Sequence, residues 1–568
     1  MTEVDEAFRR AVIEAADTAV DGVLATAAAD VHTGYIGLYR ATMRDIKLLV
    51  AAYLAEGGRH AGDAALVSRA VTCAEALAGM QAASGLFVGG DNVESPPDTA
   101  FAINDVCDTL ELIRRAAAPA LAPLDRLLGA VADAAAPAMV AGGVHTPNHR
   151  WELAAVLARL HRRRADPAVR ARAEQWLAEG IDLQSDGMFS ERSANYAVFV
   201  SNPSLSLIGD VFDRPDVHDV VVRNLEATLG LILPDDTVET VHSRRQDQHG
   251  ERYPLAPYLL AYRRFAIERA RGDLAWAAEH AAAQGIVEPQ TVLTELLLDP
   301  RLAQPLPDAE SPAATRRAEW AASRLVVDTN PTRTLVLYGG SDYSSQRRIR
   351  SGLANNPTFL RLFAGEVVLD SVRLSRDFFG LGPFRAAQLE HDGDAVVLVE
   401  RLEGRYYQPL AEGDRRADGA YDLADESRFS AAMSFADRQT ETVVLRTRIA
   451  ARPTEDGVEL EITTDGPELP WALELAFRAG GTFEGGAEVA DGAAEVADGA
   501  VRLDSGTARY RLGAGAVEFG PGTGAAGPAR YQPGEDYTYL GATDAVGGSR
   551  AYIVGSSPGV ARVFVRAV

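Results

Sequence analysis

The segment Thr146-Pro147-Asn148-His149-Arg150-Trp151-Glu152 sets an amide, an imidazole, a guanidinium and a carboxylate side by side, where a polar turn runs into the apolar helical pattern of Trp151 to Leu160. Pro147 and Asn148 suit a helix start, with Asn148 as an N-cap and Glu152 complementing the dipole. That leaves the adjacent His149 and Arg150 unexplained. His149 and Glu152 stand three apart on one helix face, where a carboxylate can orient an imidazole or raise its pKa.

Two further stretches have similar content. Ser185-Asp186-Gly187-Met188-Phe189-Ser190-Glu191-Arg192-Ser193-Ala194-Asn195-Tyr196 offers Arg192, Asn195 and Tyr196. Positive charge beside a tyrosine favours the phenolate, whereas a core tyrosine is the bland alternative. Glu239 to Tyr253 holds His242, His249, Arg244, Arg245 and Arg252 in a chain with only 10 histidines. Forked guanidinium groups bind carboxylates through paired hydrogen bonds, so an anionic sugar is their natural ligand; pairing with the chain's own Asp and Glu is the alternative.

These segments must be positioned by helices. From residue 5 to about 300 apolar residues recur at helical spacing, as in Ala11 to Ala27, Leu38 to Leu54 and Pro257 to Ala270, and alanine is abundant. Between the helices a loop signature recurs: Ser84-Gly85-Leu86-Phe87, Gly142-Gly143-Val144-His145, Asp186-Gly187-Met188-Phe189 and a weaker Asp235-Asp236-Thr237-Val238. The interval is that of one helical hairpin, which predicts equivalent loops on stacked hairpins closing into an (α/α) toroid, with an open solenoid as the alternative. After about residue 310 short β-rich segments bounded by Gly, Pro and Asp predict an antiparallel β-sandwich. The expected class is α+β multidomain, a toroid over 1–310 and a β-sandwich over 311–568. The doubled Ala487-Glu-Val-Ala-Asp-Gly-Ala493 reads as an expanded surface hairpin.

Composition narrows the function. A formal net charge of −24 without a basic run repels nucleic acid and anionic membrane, while a local arginine cluster can still hold an acidic substrate. No apolar run is long enough to span a bilayer, and an acidic start without an apolar leader reads as cytoplasmic. Cys73 and Cys107 fit no metal motif and no disulfide framework, so they read as buried thiols; neither cofactor nor metal is expected. Oligomeric state stays open, homo-oligomers included.

The chain resembles the heparinase II/III-like polysaccharide lyases, through Asn148-His149-Arg150-Trp151-Glu152, through Asp186-Gly187-Met188-Phe189 with Glu191, Ser193 and Tyr196, and through the strand pair around Phe359 to Asp370. The resemblance implies a toroid joined to a β-sandwich, and cleavage of uronic-acid glycosides by β-elimination. By the same resemblance Asn148 and His149 would serve the C5 carboxylate, and Tyr196 would be base, acid or both, with His149 sharing acid/base work as the alternative. Arg150, Glu152, Arg192, His242, Arg244 and Arg245 are the expected substrate-binding residues. One departure is visible: relatives carry histidines before the strand equivalent to Phe359–Phe363, and this chain has Leu353-Ala354-Asn355-Asn356-Pro357, preceded by the basic Gln346 to Arg350. The rival readings are a glycoside hydrolase using Glu152, Asp186, Glu191 or Asp247, and a non-catalytic glycan-binding protein.

Overall fold

The computed structural model describes residues 4–26, 38–90, 92–248, 252–343, 352–426, 428–485, 500–533 and 546–568. His249, Gln346 to Arg350 and residues 487–499 of the doubled segment lie outside the described residues.

The helices are α1 (Glu6–Ala25), α2 (Leu38–Leu54), α3 (Ala64–Met80), α4 (Pro96–Ala116), α5 (Ala122–Ala141), α6 (Pro147–Arg163), α7 (Pro167–Ala178), α8 (Ala194–Tyr196), α9 (Asn202–Phe212), α10 (Pro215–Leu229), α11 (Leu259–Arg269), α12 (Gly272–Ala283) and α13 (Pro289–Leu298). They form a ring of two layers. Helices α2, α4, α6, α9, α11 and α13 surround a central cavity, α1, α3, α5, α7, α10 and α12 pack outside them, and the ring closes where α13 meets α2. Helix α6 is buried on every side, from Trp151 to Leu160, because it packs on α4, α7 and α9 at once.

The helix starts follow sequence chemistry. Asp5, Asp63, Ser95 and Asp166 cap α1, α3, α4 and α7 through side-chain acceptors. Helix α6 differs from expectation: Thr146 is its N-cap and Pro147 its first residue, so Asn148 lies inside the first turn with its amide free to act elsewhere. Helix α8 runs through a π-turn, Ala197–Ser201, into α9. Pro203 lacks an N–H and its ring crowds the carbonyl of Phe199, so a widened turn there is the physical consequence.

The helices end with the turn Pro300–Ala303, and the first strand of a large sheet begins at Arg316. Its pairs are antiparallel except Ala500–Arg502 beside Ser549–Ala567. The longest strand, Gly457–Phe477, makes the sheet two-layered. Its first half pairs with Thr440–Pro453, and its second half, beyond an irregularity between Thr464 and Leu469, pairs with Val367–Arg376. Such a break bends a strand and lets one sheet fold over itself. Leu337, Leu362, Leu398, Ile449, Leu473 and Ile553 share the core between the layers.

A second apolar cluster is continuous from the toroid into Trp320, Val327, Tyr338 and Phe363 of the β region. The cluster crosses between the two parts, so the rim of the toroid is held against the sheet.

Candidate active site

Three of the outer-to-inner connections share one turn. Ala82 N–H donates to Leu86 O at 2.9 Å, Gln184 to Met188 at 2.8 Å and Leu233 to Thr237 at 2.8 Å. The fourth residue of each, Gly85, Gly187 and Asp236, has positive φ, and a short antiparallel bridge follows each turn or encloses it. Glycine is required at 187: a Cβ there would stand 2.7 Å from Ala227 Cβ and 2.9 Å from Arg223 O. The weaker Asp235-Asp236 signature thus belongs to the set. The Gly142-Gly143 stretch does not adopt the turn: Gly142 has φ −69 and caps α5, so that connection runs straight into α6. All four still join an outer helix to an inner one and therefore gather at one rim.

At that rim four side chains form a chain of contacts. Asn148 Nδ2 donates to Glu191 Oε2 at 2.7 Å, and Arg245 Nη1 meets Glu191 Oε1 at 3.0 Å. Arg245 Nη2 donates to the Tyr196 hydroxyl at 2.8 Å, its Cζ lies 4.2 Å from the Tyr196 ring centre, and Gln246 Nε2 donates to the same hydroxyl at 3.3 Å. Burial pushes the Glu191 carboxyl up, against the pull of Arg245 and Asn148. Asn148 is 1% exposed and its Oδ1 has no partner. Buried acceptors are rarely left so.

The loop geometry that aims these groups is local. Arg192 has φ +51, in the left-handed region. That turn sends Glu191 toward Asn148 and Arg245 while Arg192 points to the sheet. Asp247 ties the two loops together, accepting from Ser193 Oγ at 2.8 Å, Asn195 N at 3.2 Å and Ser243 Oγ.

His149 adjoins the cluster, with its ring edge-on to His145 at 4.8 Å and to Phe101 at 6.0 Å between centres. Burial, then the charges of His145, Arg245 and Arg40, hold its pKa down to about 3. The expected carboxylate partner is absent from it, because Glu152 turns to the barrel axis instead, where Asn104 Nδ2 donates to it at 2.6 Å and Ser204 Oγ at 3.1 Å. His149 is therefore a neutral ring, and its Nδ1 is buried without a partner.

The remaining expected binding residues are engaged elsewhere. Arg150 pairs with Glu179 at 3.1 Å and Asp182 at 3.2 Å and lies over Trp151. Arg192 donates to Ala322 O at 2.8 Å, and Arg244 grips Asp342 at 2.8 and 2.9 Å, so both hold the toroid to the β region. His242 is 1% exposed with neither ring nitrogen bonded, and burial with the Arg192 charge holds it down to about 3. Asn355 and Asn356, where histidines were looked for, donate their backbone N–H groups to Gln248 Oε1 at 2.8 and 3.1 Å and so brace the turn carrying Gln246. Among the described residues, no group of three His, Cys, Asp or Glu side chains is arranged for a metal, and no helix is long and apolar enough to cross a membrane.

Asn148, Tyr196 and Arg245, expected at the site from the sequence, come together there, and Gln246, which no motif singles out, joins them at the phenol. Glu191, expected as part of the family motif or as a hydrolase's acid or base, stands between Asn148 and Arg245. Its spacing from Tyr196 carried a signal; Arg40, a lone arginine at the start of α2, carried none.

No protein-family model matches the chain, and no curated protein matches it. Solved structures do. A chondroitin AC lyase of Streptomyces coelicolor A3, in complex with chondroitin sulphate, is 15% identical over 99% of this chain and 79% of that chain, with TM-score 0.54. A xanthan lyase of Paenibacillus is 10% identical over 98% of this chain and 57% of that chain, with TM-score 0.56. A heparan sulfate lyase HepC mutant of Pedobacter heparinus is 10% identical over 95% of this chain and 79% of that chain, with TM-score 0.50. The chain has the fold of these polysaccharide lyases, a helical toroid followed by a large antiparallel β region.

Proposed function

We propose that the protein is a lyase that cuts uronic-acid-containing oligosaccharides by β-elimination at the Asn148, Glu191, Arg245 and Tyr196 cluster. The observation that carries this reading is the phenol of Tyr196 accepting hydrogen bonds from both Arg245 and Gln246. Two N–H donors on that oxygen leave its own proton directed away from them, toward a substrate. The same donors stand where negative charge would develop if the proton were given up.

Elimination needs the C5 carboxylate neutralised, the C5 proton removed, and the leaving O4 protonated while C4=C5 forms and the C4–O4 bond breaks. The unpartnered Asn148 Oδ1 can take only a donor, and a protonated uronic carboxyl group is one. Neutralised in this way, the acid has a more acidic α-proton. As the phenolate, its own proton first lost to solvent, Tyr196 takes the C5 proton, and the phenol so re-formed delivers that proton to O4 as C4=C5 forms and C4–O4 breaks. His149, held neutral, can accept a hydrogen bond beside the carboxyl group but carries no proton to donate as imidazolium.

The hydrolase reading has less support, because its acids are engaged. Asp186 accepts from Ser323 N and Oγ at 2.9 and 3.0 Å, Asp247 is closed in by two serines, Glu152 faces Asn104 and Ser204, and Glu191 is held between Asn148 and Arg245. The test is incubation of the purified protein with a panel of uronate oligosaccharides, following ultraviolet absorbance of the unsaturated product. A rise in absorbance supports elimination; new reducing ends without absorbance would overturn it in favour of hydrolysis.

A further inference from the structure

A cavity of about 670 Å³ lies along the barrel axis, lined by the inner helices rather than by the phenol. That lies within the size of pockets that take small organic ligands, roughly 300–1,000 Å³. Its deeper wall is a matched ionic network. Lys47 Nζ meets Asp105 at 2.8 Å and Asp108 at 3.7 Å, and Arg159 takes Asp108 through two bonds of 2.6 and 2.8 Å. Lys47, Arg159, Asp105 and Asp108 thus find their counter-charges within the wall itself.

The end nearest the catalytic cluster is different. The Arg40 guanidinium lies 4.0 Å from the centre of the Phe101 ring and, among the described residues, has neither an ion-pair nor a hydrogen-bond partner. Phe101 is in turn edge-on to His149. Arg44, one helical turn along, is paired with Glu288 at 3.1 Å. Phe199, 37% exposed, and Val287, 39% exposed, add apolar surface to the lining. Glu152, another lining acid, is pushed up by burial against the pull of Asn104, Arg159 and Arg40.

We infer that the axial cavity is a second sugar-binding site, in which a saccharide unit is seated with its carboxylate on Arg40 and its apolar face against Phe101 or Phe199. A planar guanidinium backed by an aromatic ring is preorganised to take a carboxylate through two bonds, and aromatic faces suit the C–H side of a pyranose. This rests on the lyase reading in one respect: the unit belongs to the same oligosaccharide as the sugar cut at Tyr196. It adds that acceptance of substrate depends on an acid group beyond the reacting sugar.

The test uses glucuronic acid, which has no glycosidic bond to cut, titrated calorimetrically into the full-length protein at low salt, with glucose as the neutral control. Binding of glucuronate and not glucose is expected. Arg40→Ala should weaken it at least about ten-fold, as for loss of a charge-assisted pair. Leu207→Trp, which adds bulk to the cavity lining from α9, should weaken it as well. Equal binding of glucose, no binding of glucuronate, or wild-type affinity in both Arg40→Ala and Leu207→Trp would overturn the inference. If glucuronate binds as described and no substrate yields an unsaturated product, the elimination reading fails and this site stands.

Discussion

The rim of the toroid and the wall of its axis are both polar and both buried, yet they are built to opposite rules. Along the axis a continuous set of bonds and ion pairs runs from Lys47 through Asp108, Arg159, Asn104 and Glu152 to Ser204, and within that set the charged groups are matched. At the rim Asn148 Oδ1 and His149 Nδ1 are left over after Glu191, Arg245 and Tyr196 have paired. A satisfied network stiffens helices; leftover groups in a preorganised cluster await a ligand. Substitutions in the two places should therefore separate activity from stability.

The largest effect is expected at the rim. Tyr196→Phe should lower turnover by about 10²–10⁴-fold, the usual contribution of an acid–base group. Its unfolding midpoint in urea should stay close to that of the wild type, since the change costs about 1 kcal/mol or less. Equal losses of activity and stability would dissolve the contrast. Glu191→Gln should fall less far, by about 10²-fold, because Arg245 and Asn148 lose the charge that aligns them while the phenol remains. A hydrolase would reverse that order, and kcat for the two variants decides it.

On the axis, Asp108→Asn should leave activity per folded molecule near normal and reduce stability by about 3–5 kcal/mol, because Arg159 and Lys47 would be buried without their shared counter-charge. Denaturant melts measure it directly. A loss below about 1 kcal/mol would mean that the network is ornamental.

The smallest effect concerns pH. His149 and His242 are both held down to about 3 in the folded chain, against about 6.5 for a free imidazole. Each then takes up a proton on unfolding below about pH 6.5, so their stabilising contribution is intact above that pH and is lost as pH falls toward 3. Each ring contributes a slope of up to about 1.4 kcal/mol per pH unit. His242→Leu should remove one such contribution from urea melts between pH 7.5 and 5 and leave activity at neutral pH largely intact. His149→Ala should remove the other and also disturb activity.

The ring and the sheet were legible because each leaves a periodic trace: alanine-rich helical spacing, then short alternating runs between turn residues. Even the weak Asp235-Asp236 signature carried the shared turn, since aspartate adopts the left-handed conformation more readily than most residues. Gly142-Gly143 misled for the complementary reason, that a glycine pair permits that turn without requiring it. Within the site, spacing indicated that His149 and Glu152 share a helix side, but not which of two neighbours Glu152 would meet. Asn104 and Ser204 come from other helices, and their approach depends on packing around α6. Among the arginines, type alone could not separate Arg245, bonded to the phenol, from Arg244, one residue earlier and committed to Asp342.

The most direct measurement is a crystal structure of the Tyr196→Phe variant with an uncleaved uronate oligosaccharide. The C5 carboxyl group should lie within hydrogen-bonding distance of Asn148 Oδ1, with C5 and the leaving O4 beside the position vacated by the phenol oxygen. A sugar bound with its carboxyl group turned away from Asn148, or with no glycosidic oxygen near residue 196, would contradict elimination at this cluster.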